Sequence, residues 1–316
     1  MSTILHGGRD DGPQPYRVIT TSFDVDSLLY LADGRLVSSI YRDGMVTFWN
    51  AGEGKQLESA FLLHDKDEMS DLALTADGKK IISSDNKGGV KMLDVELDQV
   101  VVKEWFDGQE VQAVRVSISP DNRLVAVGSK RVFIHAIEGW QVKQTIEVGE
   151  LLWCMSFSPA GNKLVCSTTF DIRIYDVDSG TLILGPFETD GVRAVLWSRD
   201  GSKLFSASWD KAIRCWNADT GEQIGHPWIG HTSWIYSLAL SLDGRILASA
   251  SLDKTARFWN ATTGDPIGRP LQHKNNVWDV CFSPSGKFLA SIASNEIYIW
   301  RAPKLNTVCK SIYFRV

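Results

Sequence analysis

The sequence predicts an all-β chain folded as one seven-bladed β-propeller of four-stranded antiparallel blades. Three observations carry that expectation: a repeat with a period near 42 residues, paired strand patterns inside every repeat, and no helical period anywhere in the 316 residues. Seven segments share one plan, a small turn, an apolar strand, a polar hairpin and a second strand closing on an aromatic residue or its substitute. They read DGRLVSSIYRDGMVTFWN, DGKKIISSDNKGGVKMLD, DNRLVAVGSKRVFIHA, GNKLVCSTTFDIRIYD, DGSKLFSASWDKAIRCWN, DGRILASASLDKTARFWN and SGKFLASIASNEIYIWR. The closing positions are Trp49, Leu93, His135, Tyr175, Trp216, Trp259 and Trp300, at intervals of 44, 42, 40, 41, 43 and 41 residues.

Each unit also has a strand ahead of this pair, with apolar residues at one fixed offset. The triplets are Val25/Leu28/Tyr30, Met69/Leu72/Leu74, Ala113/Val116/Ile118, Leu152/Met155/Phe157, Val192/Val195/Trp197, Ile235/Leu238/Leu240 and Val277/Val280/Phe282. The last two of each triplet are two apart, the period of a strand with one buried face. The first stands three before the second, which predicts a bulge at the strand's start. After the closing aromatic comes a turn such as NADTGEQIG or NATTGDPIG, then a fourth and more polar strand. Ring closure requires one blade shared between the two ends of the array, so that no long edge strand stays open. Tyr16–Phe23 aligns with the fourth strands and is expected as the outer strand of the seventh blade. The C-terminal KLNTVCKSIYFRV competes for the same place. The expected boundaries are a tail over 1–15, the propeller over 16–301 and a tail over 302–316.

The period, the turns Ser158-Pro159-Ala160-Gly161 and Ser283-Pro284-Ser285-Gly286, and Gly230-His231 followed by Phe258-Trp259-Asn260 resemble WD40 repeats. The resemblance spans Tyr16 to Arg301. It implies a buried network in blade six of His231, a strand serine (Ser249 or Ser251), Asp253 and Trp259, linking loop, hairpin and third strand. A histidine held between a carboxylate and a hydroxyl leaves no buried polar group unpaired. Blades two, three and four depart from the pattern, with Leu93, His135 and Tyr175 where Trp is implied. The regular, insert-free blades also resemble the WD40 arrays appended to NACHT-type signalling NTPases, which implies a sensor or assembly module.

Composition and motifs narrow the function. With 33 Lys plus Arg against 38 Asp plus Glu, the formal charge is −5 and no basic run offers a nucleic-acid surface. No apolar run exceeds five residues (Leu28 to Ala32, Leu151 to Met155), far short of the roughly 20 that span a bilayer. The opening MSTILHGGRDDG carries no secretory pattern, and the five cysteines (Cys154, Cys166, Cys215, Cys281, Cys309) show no metal or disulfide spacing, so buried free thiols and a cytoplasmic setting are expected. The six histidines form no HxxxH or HExxH arrangement, and His231 and His273 fall at the repeat's loop position. Asp65-Lys66-Asp67-Glu68 with Asp71 lacks the core of a calcium loop, and Gly7-Gly8 and Gly88-Gly89 lack a phosphate-loop context. There is no GxSxG elbow, no sialidase box and no quinoprotein turn. The expectation is no enzyme, no cofactor and no metal.

What remains is surface. In blades of this kind, the residues flanking the first apolar position of the first strand and one residue before the hairpin acid emerge on one face, the top. This register puts Asp24, Asp26, Glu68, Ser70, Gln112, Val114, Leu151, Trp153, Gly191, Arg193, Trp234, Tyr236, Asn276 and Trp278 there, with Arg42, Phe170, Trp209 and Leu252 from the hairpins. Blades four to seven thus present Trp153, Phe170, Trp209, Trp234, Tyr236 and Trp278 together with Arg193, whereas blades one and two present mostly acidic or small groups. Trp, Tyr and Arg are the residues that most often carry interface energy. The expected function is a non-catalytic scaffold that binds a protein or peptide partner with this face and the channel mouth, by contacts from Trp153, Arg193, Trp209, Trp234, Tyr236, Trp278, Phe170 and Arg42. The alternative is a small-ligand or glycan-binding propeller with an aromatic-lined pocket. No nucleic-acid or membrane partner is expected.

Overall fold

The computed structural model describes residues 12–40, 43–64, 69–85, 87–97, 99–103, 114–189 and 191–304. They form seven four-stranded antiparallel sheets and no helix. Blade 1 runs from its inner strand Val25–Tyr30 to its outer strand Lys55–Leu62, and blade 2 from Met69–Leu74 to Gln99–Lys103. Blade 3 spans Arg115–Ile118 to Val142–Glu147, blade 4 Cys154–Phe157 to Leu182–Glu188, and blade 5 Val192–Trp197 to Trp228–Ile229. Blade 6 spans Ile235–Leu240 to Pro266–Gln272, and blade 7 begins at Asp279–Phe282. Its outer strand is Arg17–Thr20, paired with Glu296–Arg301 from Arg17 opposite Ile299 to Thr20 opposite Glu296. Ile19 of that strand is buried, and Tyr16 packs on Phe288 beneath the Arg301 guanidinium.

The inner strands carry the expected bulge where their start is ordered into the ladder. Pairing slips between Val25 and Leu28, Met69 and Asp71, Val192 and Ala194, and Ile235 and Ser237. In blades 3, 4 and 7 the inner strand begins just past that point. The turn between first and second strands has a chemical reason for its Ser/Thr-x-Asp pattern. The hydroxyls of Thr75, Ser119, Ser198 and Ser241 each donate to the carboxylate two residues on, at 2.6 Å, and accept the N–H that opens the next strand. The fourth strand is more variable than the repeat implies. In blade 5 it shrinks to Trp228–Ile229, because Gly225, at a φ of 70°, and Pro227, without an N–H, turn the chain off the ladder.

The core is a ring of seven layers, one between each pair of neighbouring blades. Blades 3 and 4, for example, bury Val132, Ile134, Met155, Phe157 and Leu164 against each other, and blades 6 and 7 bury Phe258, Leu271, Val280 and Trp300. The joint between blades 7 and 1 is of the same kind, with Ile19, Val25, Leu28, Ile292 and Ile297. Val114, which the repeat register assigns to the top face, is instead fully buried between blades 2 and 3, where its apolar side chain gains more from the core than from water. Cys154, Cys166, Cys215 and Cys281 are free; Cys166 and Cys215 are buried, while Cys154 and Cys281 keep part of their surface. Arg42, Glu68, Gln112, Cys309 and the competing C-terminal segment from 305 lie outside the described residues.

Deleting residues 1–15 is expected to leave thermal stability unchanged. Deleting 1–24 strips the outer strand from blade 7 and is expected to lower the melting temperature by roughly 5 °C or more. Equal melting temperatures for the two truncations, measured by circular dichroism, would show that this strand does not close the ring.

Candidate functional site

Two sets of polar and aromatic side chains were singled out by the sequence, and the structure gives them different work. The first is the blade-6 network. His231 donates from Nδ1 to Asp253 Oδ2 at 2.8 Å and accepts at Nε2 from Ser249 Oγ at 2.7 Å, and Ser249 in turn accepts the Trp259 indole N–H at 2.9 Å. Of the two candidate serines, Ser249 joins the histidine. Ser251 donates to the Ser233 carbonyl and receives the Asp253 N–H. Burial pulls the His231 imidazole below its ordinary pKa despite its carboxylate partner. Burial pushes the other way on Asp253, but hydrogen bonds from His231, Thr255 and the Thr232 N–H hold its carboxyl well below the usual range. A neutral imidazole with both nitrogens occupied is a strut, with no free lone pair for a metal or a substrate.

Blade 2 holds the same strut, which the sequence reading did not assign. His64 Nδ1 donates to Asp85 at 2.9 Å and its Nε2 accepts from Ser83 at 2.8 Å, with Leu93 filling the indole's place. The signal was present: His64 stands ahead of the blade-2 inner strand as His231 does in blade 6. In blade 7, His273 donates to the Leu271 carbonyl and accepts from Ser291, which also receives the Trp300 N–H. Blades 1 and 5 keep only the serine–indole half, Ser38 with Trp49 and Ser206 with Trp216.

The second set converges at the axis. A cavity of about 480 Å³ opens at the end of the channel and is lined by inner-strand residues of all seven blades. The top-face positions Asp26, Ser70, Trp153, Arg193, Tyr236 and Trp278 all reach it. Arg193 lies between two rings, its guanidinium carbon 4.3 Å from the centre of Trp153 and 4.5 Å from that of Tyr236. Trp278 meets Tyr236 edge-on at 4.9 Å, and Trp153 contacts Trp209 at 6.0 Å. Trp209 stacks on Trp234 at 5.0 Å. One continuous row therefore runs Trp278, Tyr236, Arg193, Trp153, Trp209, Trp234 across blades 4 to 7. Gly191 is needed beneath it: at a φ of 62°, a Cβ there would sit 2.5 Å from the Trp209 ring. Trp234 is 42% exposed and Trp278 37%, whereas Trp153, Trp209 and Tyr236 are half-buried by their neighbours. Phe170 is 67% exposed and stands apart from the row.

The channel wall also holds groups that the flanking-residue rule did not reach. One residue further along each inner strand come Ser27, Asp71, Arg115, Cys154, Ala194, Ser237 and Asp279. Asp279 ties three blades together, accepting from Leu28 N at 2.9 Å, Ser237 Oγ at 2.6 Å and its own blade's Val280 N at 2.8 Å. Desolvation pushes its carboxyl up to about 6. Asp71 accepts from Val116 N of blade 3 at 3.0 Å, and burial raises it too, against the pull of Arg115. Arg115 reaches back to the Ser70 carbonyl at 2.8 Å. No cluster of three or more metal-ligating side chains occurs among the described residues. A larger groove of about 1190 Å³ lies on the opposite face between blades 6 and 7, but its charged residues Asp243, Lys287, Arg301 and Lys304 are all exposed.

Comparison with known proteins places the fold. The profile for the WD domain, G-beta repeat, matches residues 181–217, 222–260 and 264–301. Each match starts at the outer strand of one blade and ends at the third strand of the next, so sequence repeats and blades interlock out of phase. The chain is a seven-bladed propeller that carries WD40 repeats. It is similar to the WD repeat-containing protein SL1-17 of Schistosoma mansoni, 26% identical over 155 residues, which is 48% of this chain and 51% of that protein. It is also similar to the Cross-pathway control WD-repeat protein 2 of Flammulina velutipes, 41% identical over 133 residues, 38% of this chain and 42% of that one. The mRNA export factor of Sus scrofa is 37% identical over 90 residues, covering 26% of this chain and 24% of its own length. The matched stretches thus span about half of these relatives or less. WD40 propellers typically serve as protein-interaction scaffolds rather than catalysts.

Two stability measurements separate strut from surface. Trp259→Ala removes a fully buried indole and is expected to cost about 3–5 kcal/mol, whereas Trp278→Ala is expected to cost under about 1 kcal/mol by denaturant unfolding. The pH dependence tests the neutral struts. Burial pulls His273 down to about 4, against about 6.5 in an unfolded chain, so only the unfolded chain takes up a proton between those values. Stability from His273 is therefore lost as pH falls through this window, by up to about 3 kcal/mol. Asp279, raised to about 6, acts in the opposite sense below that pH, so the readout is a difference. His273→Gln should lose less stability than the native chain between pH 7 and 4, and parallel curves would mean that burial leaves the His273 pKa where it is in the unfolded chain.

Proposed function

We propose that this protein is a non-catalytic scaffold that binds a protein or peptide partner across its top face and channel mouth. The observation that supports it is the unbroken row from Trp278 to Trp234 around Arg193, assembled from four blades on one face. Aromatic side chains stacked on one another lose little entropy when a partner covers them, and they offer large area with a polar handle. The reading includes Phe170, which stands apart from the row and is exposed. The reading includes Arg42 as a further contact. Free Cys154, Cys166, Cys215 and Cys281 support action in a reducing, cytoplasmic setting. A second reading rests on the cavity's size, about 480 Å³ with three aromatic walls, which suits a small ligand or a glycan.

Truncation is the test. Trp278→Ala and Trp153→Ala are each expected to weaken binding to a co-purified partner by roughly 2 kcal/mol or more. Leu242→Ser, on the opposite face, is expected to leave binding unchanged. Loss of the partner with Leu242→Ser but not with the tryptophan variants would move the interface to the other face. A metabolite or glycan that competes at the tryptophans, with no protein partner captured, would favour the small-ligand reading.

A further inference from the structure

Among the groups at the axial mouth, the two arginines keep unused hydrogen-bonding capacity: Arg115, whose buried Nε has no partner, and Arg193, whose guanidinium makes no hydrogen bond to another described residue. The carboxylate oxygens of Asp279 are consumed by Leu28 N, Ser27 Oγ, Ser237 Oγ and Val280 N, and those of Asp71 by Leu72 N and Val116 N. The wall thus satisfies its acids. Arg193 is treated differently: its guanidinium lies over the rings of both Trp153 and Tyr236, at 4.3 and 4.5 Å, and it makes no hydrogen bond to another described residue. Its rim of N–H donors is what remains, and it lines the cavity. A guanidinium held against two rings is restrained before binding, so a planar acceptor can dock on its N–H edge with little further ordering. Burial lowers the Arg193 pKa from its ordinary value, with the like charge of Arg115, which also lines the cavity, adding to that and Tyr236, Cys154 and Asp26 opposing it.

Resting on the top-face reading above, we propose that the mouth takes a carboxylate, the side chain of one Asp or Glu on a partner peptide, gripped edge-on by Arg193. Asp26, Asp71 and Asp279 share the cavity with the two arginines, so every added negative charge meets repulsion and a dianionic phosphate meets about twice that of a single carboxylate; the monoanion is the better fit to the Arg193 edge. A side chain fits better than a chain end, because the residues before and after it have Trp278 and Trp234 to lie on. The acid supplies register and the aromatics supply area.

The test selects displayed random peptides of about a dozen residues on the full-length protein, then synthesises a selected sequence with acetylated and amidated ends. Every carboxylate left is then a side chain. The expected result is an Asp or Glu at one fixed position, whose amide analogue (Asn or Gln) binds about tenfold or more weakly. Against Arg193→Met, which keeps a flexible chain between the two rings but has no fork, acid and amide peptides should differ by less than about twofold. If that variant melts early by circular dichroism, Arg193→Lys takes its place, and the acid-to-amide loss on the native protein stands alone. Selected peptides that lack an acid yet lose binding with Trp278→Ala would overturn the carboxylate and leave the top-face reading intact. A peptide that needs its free C-terminus, or one that binds tighter with phosphoserine at the acidic position, would also overturn it. Enrichment of no peptide at all would count against both.

Discussion

No blade of this propeller has a core of its own. Each sheet is one layer thick, and its apolar side chains are buried only by the sheets on either side, so the seven hydrophobic layers exist only when the ring is closed. Closure is therefore the constraint on which everything else depends. It explains why Arg17–Thr20, far in sequence from blade 7, is the strand that completes it. It also explains why wall residues near the axis bond across blades rather than within them. Asp279 joins blades 6, 7 and 1, Asp71 joins 2 to 3, Ser117 accepts the Phe157 N–H of blade 4, and Trp197 of blade 5 donates to the Ser156 carbonyl of blade 4.

Within a blade, a second rule operates at the buried serine of the second strand. A hydroxyl at zero exposure must donate and accept, and an indole N–H from the third strand supplies one partner in blades 1, 5, 6 and 7. Where a loop histidine supplies the other, as in blades 6 and 7, the loop is pinned to the hairpin. Blade 2 shows that the two halves are separable: His64, Ser83 and Asp85 keep their geometry while Leu93 replaces the indole by apolar bulk. In blade 4, Tyr175 fills the same volume, and the hairpin acid Asp171 is held by Thr168 and Arg173 instead. Polar satisfaction is conserved in kind though not in residues.

Why some of this was legible in the sequence and some was not follows from the same physics. Period, blade number and the register of the inner strands could be read because burial of one strand face imposes alternation, and seven copies reinforce it. The network of blade 6 was legible because all its members are present together. His64 escaped notice because its blade lacks the tryptophan that marks the pattern. The channel wall escaped for a geometric reason. A bulge sets two residues of the inner strand against one of its neighbour, so Ser27, Asp71, Ala194 and Ser237 turn to the axis alongside the residue before them. A rule that counts outward from the first apolar residue stops one position short. Val114 shows the converse, since the ladder in blade 3 begins at Arg115 and that side chain takes the axial place.

The candidate site inherits its character from both rules. Asp71 and Asp279 at the axis are absorbed into inter-blade hydrogen bonds, which fixes that part of the wall. The blades that present aromatics have them packed in a row, stacked at Trp209–Trp234, tilted at Trp153–Trp209 and edge-on at Tyr236–Trp278, each such pair worth about 0.5–1.5 kcal/mol beyond its buried area. That packing holds Trp153, Trp209 and Tyr236 partly inside the protein, so truncating any of them disturbs its neighbours as well as the surface. Trp234 and Trp278, at the two ends of the row, remain the most exposed of its rings. Arg193, in the middle, is held against two rings and open on its edge. The row is thus rigid at its centre and open at its ends, the arrangement by which a surface made of large side chains can be both ordered before binding and unsatisfied until bound.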